Sequence, residues 1–223
     1  MPIIRLTPPK HLMEAARDYK YLLDRGFNRD HALRFIGDHY TLKKEERLIL
    51  YRSIHPSSHV ARVSPKIIDT YPLEEPLYID FYNVILTITA MLKDQQLYLG
   101  NDGFIRDMSG VHGRIKDDEP LTQAINVFKE LTTSLSPPKT TIFLESQVSK
   151  SGEYRALLTR ILGGETEVIL TRNVDSTLYD VDGVVATSDS IIHLRAEKLI
   201  DIPQLYASTS DIEVKTVDFQ FLR

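Results

Sequence analysis

Between residues 77 and 202 the chain alternates short β-prone apolar runs with amphipathic helical stretches, and few folds accommodate that rhythm. Strand-like runs at 77–81, 140–145, 166–171, 183–187 and 198–202 are spaced by helical patterns near 83–93, 119–135, 150–162 and 189–197. Parallel neighbours in a sheet need crossovers of a dozen residues or more, and such helices supply them. The expectation is therefore an α/β domain, a parallel sheet covered by helices, over residues 77–223. Residues 94–118 break the rhythm. There Gln96-Leu97-Tyr98-Leu99 and Gly103-Phe104-Ile105-Arg106 flank Asn101-Asp102-Gly103 and read as an inserted β-hairpin. The terminal run from Ile212 to Phe221 alternates as an edge strand would.

Upstream, residues 1–55 read as a small all-helical head. Thr7 with Pro8 can start a first helix that Gly26 ends, Asn28 caps a second, and Thr41 caps a third. Three short helices with tight joints resemble a helix-turn-helix bundle. Residues 56–76, with Pro56, Pro65, Pro72 and Pro76, read as a linker. The formal charge of -4 is unevenly spread: residues 1–66 hold 13 Lys+Arg against 7 Asp+Glu, so the head is basic and the body acidic. A basic segment of this kind suits a polyanionic partner. Five of the 7 histidines (His11, His31, His39, His55, His59) fall within residues 1–66 and are read as surface residues. With no cysteine, disulfides, zinc-thiolate sites and thiol catalysis are excluded. No apolar run approaches membrane-spanning length and the first residues do not read as a signal peptide, so no membrane partner and a cytoplasmic location are expected.

Two of the strand-like runs end in aspartates. Ile79-Asp80-Phe81-Tyr82-Asn83 closes the first strand, and Thr187-Ser188-Asp189-Ser190 follows the fourth. The carboxyl ends of parallel strands gather along one edge, where ligands bind. Carboxylates brought together there repel one another unless a divalent cation neutralises them. Each aspartate can also serve simply as a helix N-cap. Glu145, at the end of the second strand, and Asp175, after the third, stand where further ligands for Mg²⁺ or Mn²⁺ are needed; Asp180 or Asp182 can replace Asp175. Asn83 can orient the Asp80 carboxylate, while Thr187 and Ser190 offer hydroxyls beside Asp189. Two polar segments are candidate phosphate contacts: Arg106, Asp107, Ser109 and His112 in the glycine-rich stretch 101–113, and Lys150, Ser151 and Glu153 before the third helix. There is no Walker lysine, dinucleotide glycine triplet or Gly-x-Ser-x-Gly elbow, and the position two beyond Asp80 is Tyr82, which disfavours a phosphotransferase of the Asp-x-Asp type.

These residues resemble the PIN-like nuclease superfamily, including its NYN branch. Its domains open on a strand ending in an aspartate with a nearby asparagine, here Asp80 and Asn83. They close on an apolar strand running into a Thr/Ser-x-Asp turn, here Thr187-Ser188-Asp189, with a further acid before it, here Asp175. The resemblance spans roughly residues 77–202 and implies a three-layer domain with a magnesium- or manganese-dependent ribonuclease site. Asp80, Asp175 and Asp189 would be ligands. The second acid of such nucleases sits on a helix, whereas here that region carries the hairpin, leaving Glu145, Glu153 and Asp107 as substitutes, Glu145 foremost. The expected activity is hydrolysis of phosphodiesters, RNA before DNA, with no protein nucleophile. Two alternatives stand beside it: a non-catalytic nucleic-acid-binding or regulatory protein on the same fold, and an enzyme acting on a small phosphorylated metabolite. Homo-oligomerisation is left open.

Overall fold

The computed structural model describes residues 3–108, 119–164 and 166–223. The chain begins with β1 (Ile4–Leu6), followed by helices α1 (Lys10–Asp24), α2 (Arg29–His39), α3 (Lys44–Ser53) and α4 (Ser57–Val63). The body then runs β2 (Leu77–Asp80), α5 (Phe81–Leu92), β3 (Leu97–Leu99), β4 (Ile105–Arg106), α6 (Glu119–Leu135), β5 (Thr140–Glu145) and α7 (Ser151–Leu162). It continues with β6 (Thr166–Thr171), α8 (Val174–Leu178), β7 (Val184–Ala186), α9 (Ser190–Arg195), β8 (Lys198–Leu199), α10 (Ile202–Thr209) and β9 (Lys215–Asp218).

The alternating segment forms a five-stranded, fully parallel sheet in the order β6-β5-β2-β7-β8. Period-two alternation explains how it is covered on both faces. Leu77, Ile79, Ile142, Leu144, Val184 and Ala186 point into one core with α5, α6 and α7. The intervening Phe143, Val185 and Leu199 point into another with Val174 and Leu178 of α8, Ile192 of α9 and Val63 of α4. The chain first builds outward from β2 to β5 and β6, then returns to the other side of β2 for β7 and β8. Strand order therefore reverses between β2 and β7, and a crevice opens at such a reversal.

A second sheet, β1-β9-β3-β4, joins head to body. Leu6, Tyr98 and Val217 face the core of α1–α3. Leu97, Leu99 and Ile105 face Ala90 and Met91 of α5 and Ala207 of α10. The 94–118 segment does contain the hairpin, with Tyr98 opposite Arg106 and Leu99 opposite Ile105, turning at Gly103 with φ +97°. Its remainder, including the candidate phosphate contacts Ser109 and His112, lies outside the described residues.

Three expectations are corrected. The terminal strand β9 is interior, paired in parallel with both β1 and β3. The edges are β1 and β4, and the three residues of β1 are too few for a readable alternation. Because Ile4–Leu6 is a strand, α1 starts later than Thr7, with Pro9 in its cap position. Residues 56–76 are not a bare linker, because Pro56 precedes helix α4 and Val60 and Val63 bury its inner side. Ile67 then bridges Leu199 at the free side of β8. Proline is tolerated ahead of a helix, which is why the composition misleads here.

The head's own punctuation includes a true cap: Asn28 Oδ1 accepts from the backbone N–H groups of Asp30 (3.0 Å) and His31 (3.1 Å). Asn28→Ala is expected to lower stability by about 1 kcal/mol. An unchanged denaturation midpoint would show that α2 is held by packing alone.

Candidate active site

Asp80 is the last residue of β2 and the N-cap of α5, placed at the reversal of strand order. Its side chain is buried, yet both oxygens find partners. Oδ1 accepts from the Asn83 backbone N–H (3.4 Å), and Oδ2 accepts from Asn83 Nδ2 and from Thr187 Oγ1 (3.0 Å). Across the crevice, Thr187 Oγ1 accepts from Asp189 N (3.1 Å), and Ser188 Oγ donates to Asn83 Oδ1 (2.9 Å). One hydrogen-bonded unit thus ties the ends of β2 and β7. Asp189 caps α9 through Oδ1, to Ile191 N (2.6 Å) and Ile192 N (3.4 Å), and is half-buried, as is Ser190 after it.

The acids at this edge influence one another's ionisation, although no three of their carboxylates lie within 4.8 Å of one another. Burial pushes the Asp80 carboxyl up to about 6, the nearby charge of Asp189 adds to this, and the Asn83 and Thr187 hydrogen bonds oppose it. Asp175, in the first turn of α8, is raised by burial and then by the charges of Asp189 and Glu145. Glu145 ends β5 and accepts from Val174 N (3.4 Å), which anchors the start of α8 over the same edge. All four predicted acids are therefore gathered at the carboxyl edge of the sheet.

The predicted phosphate contacts fare differently. Arg106 is fully buried and cannot meet a phosphate: its guanidinium grips Asp102 through Nη1–Oδ1 (2.8 Å) and Nη2–Oδ2 (2.5 Å), and Nε donates to Ser188 O (3.0 Å). It instead holds the Thr187–Asp189 turn from behind. Asp107 is buried too, accepting from Thr87 Oγ1 (2.9 Å) one turn along α5 from Asn83. Lys150 is exposed, with φ +67°, and pairs with the exposed Glu153 (3.4 Å), while Ser151 Oγ donates to Ser146 O (3.2 Å). Lys150 and Glu153 thus lie in solvent, while Ser151 is buried at the start of α7.

Several residues at or behind the site were not singled out as site residues. Arg52 of α3 donates to Asp107 O (2.9 Å) and feels the charges of Asp107, Asp189 and Asp80, bringing the head to the edge of the acid cluster. His193 of α9 is buried, with Nε2 3.1 Å from Thr187 O. His55 and His59 are buried as well, not on the surface as read from the sequence. Their spacing of four residues was the available signal.

The segment that carries this site also decides its kinship: residues 73–205 match the family model described as "Domain of unknown function (DUF5616)". The chain belongs to the DUF5616 family. A second model, "Protein of unknown function (DUF434)", matches residues 11–66, which hold α1 to α4. The chain is also similar to Uncharacterized protein MJ0935 of Methanocaldococcus jannaschii, 33% identical over 198 residues that cover 87% of this chain and 94% of the relative. No solved structure matches it. Among the described residues no helix is long and apolar enough to cross a membrane. Within the DUF5616 match fall all four acids together with Asn83 and the Thr187–Asp189 turn.

Proposed function

We propose that this protein is a metal-dependent nuclease with a PIN-like body, hydrolysing phosphodiesters of RNA at the carboxyl edge of the parallel sheet. The observation that carries the reading is the convergence of Asp80, Glu145, Asp175 and Asp189 at one strand edge, where burial and like charge oppose ionisation of Asp80 and Asp175. A divalent cation reverses that opposition, and an all-oxygen donor set fits Mg²⁺ or Mn²⁺. Asp80 and Asp189 would hold the cation, with Asp175 and Glu145 completing the set. When bound, it supplies Lewis acidity and charge neutralisation for a phosphodiester. Asn83 and Thr187 fix the orientation of the Asp80 carboxylate, and Ser188 fixes that of Asn83.

The head supports a polynucleotide substrate. It is basic, it exposes Tyr21, Phe27 and Phe35, and it sets Arg25 over Tyr21 (5.1 Å) and Arg29 over Tyr51 (4.2 Å). Exposed aromatics among arginines make stacking platforms for single-stranded bases. The competing reading, a scaffold that binds RNA without cutting it, draws on the engagement of both Asp80 oxygens by protein donors.

A calorimetric Mn²⁺ titration separates the two. Wild type is expected to bind in the micromolar range and to cleave RNA with Mn²⁺ present. Asp80→Asn/Asp189→Asn is expected to lose both while retaining salt-sensitive RNA binding. Wild type that binds no Mn²⁺, with or without RNA, would leave the scaffold reading in place.

A further inference from the structure

Behind the acid edge lies a second cluster of chemistry-bearing side chains that the nuclease reading does not use. His55 precedes α4, His59 lies within it, Asp102 sits in the hairpin turn and His193 lies on α9. All four are buried. The ligand-capable atoms of His55, His59 and Asp102 lie within 4.8 Å of one another. The rings of His55 and His59 stack at 4.5 Å. Asp102 Oδ2 is 3.4 Å from His55 Nε2 and 3.6 Å from His193 Nδ1.

Hydrogen-bond accounting makes this arrangement informative. Both ring nitrogens of His55, Nε2 of His59 and Nδ1 of His193 are buried without a hydrogen-bond partner. Buried polar atoms are seldom left so. His193 is the most telling. Its Nε2 faces a carbonyl oxygen, Thr187 O, and must donate to it. A neutral imidazole then presents a bare lone pair at Nδ1, and that lone pair faces the carboxylate of Asp102. Such a facing pair accommodates a cation at Nδ1, a proton or a metal ion, beyond the Arg106 guanidinium that already grips Asp102.

The cluster is built rather than incidental. Asn101 clamps the His55 backbone in both directions, accepting from its N–H (2.9 Å) and donating to its carbonyl (2.9 Å). Arg106 fixes the Asp102 carboxylate. Gly100 permits that approach, since a Cβ there would stand 2.5 Å from Arg106 Nη1 and from Asp102 Oδ1.

We infer that His55, His59 and Asp102 form a structural site for a first-row transition ion of the zinc class, with His193 Nδ1 the nearest further donor. Imidazoles with one carboxylate suit Zn²⁺ and disfavour Mg²⁺, which demands oxygen ligands. Such an ion would fasten the end of the head, the hairpin turn and α9 to one another. Through the bond from His193 to Thr187 it would also brace the turn that carries Asp189. The inference does not depend on nuclease activity.

The test uses full-length protein without a histidine tag, stripped by chelator and then titrated with Co²⁺ and Zn²⁺. Expected are the intense visible bands of tetrahedral Co²⁺ at one ion per chain, their displacement by Zn²⁺, and a Zn²⁺-dependent rise in Tm. His59→Gln is expected to weaken Co²⁺ binding by at least about tenfold. Asp80→Asn/Asp189→Asn should keep the bands, which places the ion away from the acid edge. Folded wild type with neither bands nor a Tm rise overturns the inference and leaves a protonated His193–Asp102 pair in its place. So do bands that persist in His59→Gln or vanish with Asp80 and Asp189. Should His59→Gln fail to fold, the wild-type titration and His55→Gln decide the matter.

Discussion

Replacing Arg106 with methionine is expected to destabilise the metal-free protein by about 3–5 kcal/mol at mildly alkaline pH, the penalty for leaving one partner of a buried ion pair behind. Asp102 is fully buried, which opposes its ionisation, but the charge of the Arg106 guanidinium, with that of His55, outweighs burial and holds its carboxyl well below the usual carboxylate range. The methionine fills similar volume, so cavity formation contributes little. What is lost is the bidentate bond to Asp102 and the bond to Ser188 O. Removing the guanidinium also takes away one of the charges that oppose protonation of His55 beside Oδ2, so the penalty should shrink toward acid pH. Adding Asp102→Leu should recover part of the loss, because a pair replaced whole by apolar groups is often tolerated. Urea denaturation of the three proteins reads this directly. A single variant within about 1 kcal/mol of wild type would mean that Asp102 is already compensated by another charge.

The same arginine shows where the sequence is legible and where it is not. Arg106 stands in a glycine-rich, polar stretch, and local composition there reads as a phosphate loop. Nothing nearby in sequence reveals that its partners are Asp102, four residues back, and Ser188 O, on the far side of the body. Period-two and period-3.6 patterns report which face of an element is buried, and so β2, β5, β6 and β7 are readable together with α5, α6 and α7, whereas the five residues of α8 are too few to show a period. Asp80 and Asp189 are readable for the same reason, since each ends an apolar run. They prove to be both helix caps and neighbours in the crevice, so the two readings offered for them were not exclusive. Contacts between distant segments are invisible to periodicity. β1 and β9, separated by almost the whole chain, pair in register from Ile4 with Lys215 to Leu6 with Val217. Three residues of β1 carry too little pattern to announce that pairing. His55 and His59 fail for a further reason: a histidine is polar by composition, and only the arrival of Asp102 and His193 from other elements turns their surroundings into an interior.

Asp80→Asn should separate stability from activity, raising one while removing the other. Burial raises the Asp80 carboxyl from 3.8 to about 6, so in the folded metal-free protein its ionised form is disfavoured. The sign follows from linkage: an acid whose folded value is raised leaves stability intact while it stays protonated in both states, below about 4, and costs stability as pH rises through about 6. At about 1.4 kcal/mol per unit, the ionised group costs about 3 kcal/mol as an upper bound, and rearranged bonds to Asn83 and Thr187 reduce the recoverable share to about 1–3 kcal/mol. In chelator, the asparagine variant should thus be more stable than wild type above about pH 6, and the difference should fade toward about pH 4. Mn²⁺ should reverse the order, since the cation stabilises only the protein that can hold it. Wild-type Mn²⁺ affinity should also strengthen as pH rises through about 6, because proton and cation compete for one carboxylate. Single-turnover RNA cleavage should fall by at least about 100-fold in the variant. An asparagine variant less stable than wild type at alkaline pH would identify the Asp80 charge as a favourable helix cap. Cleavage that survives the substitution would remove Asp80 from the chemistry.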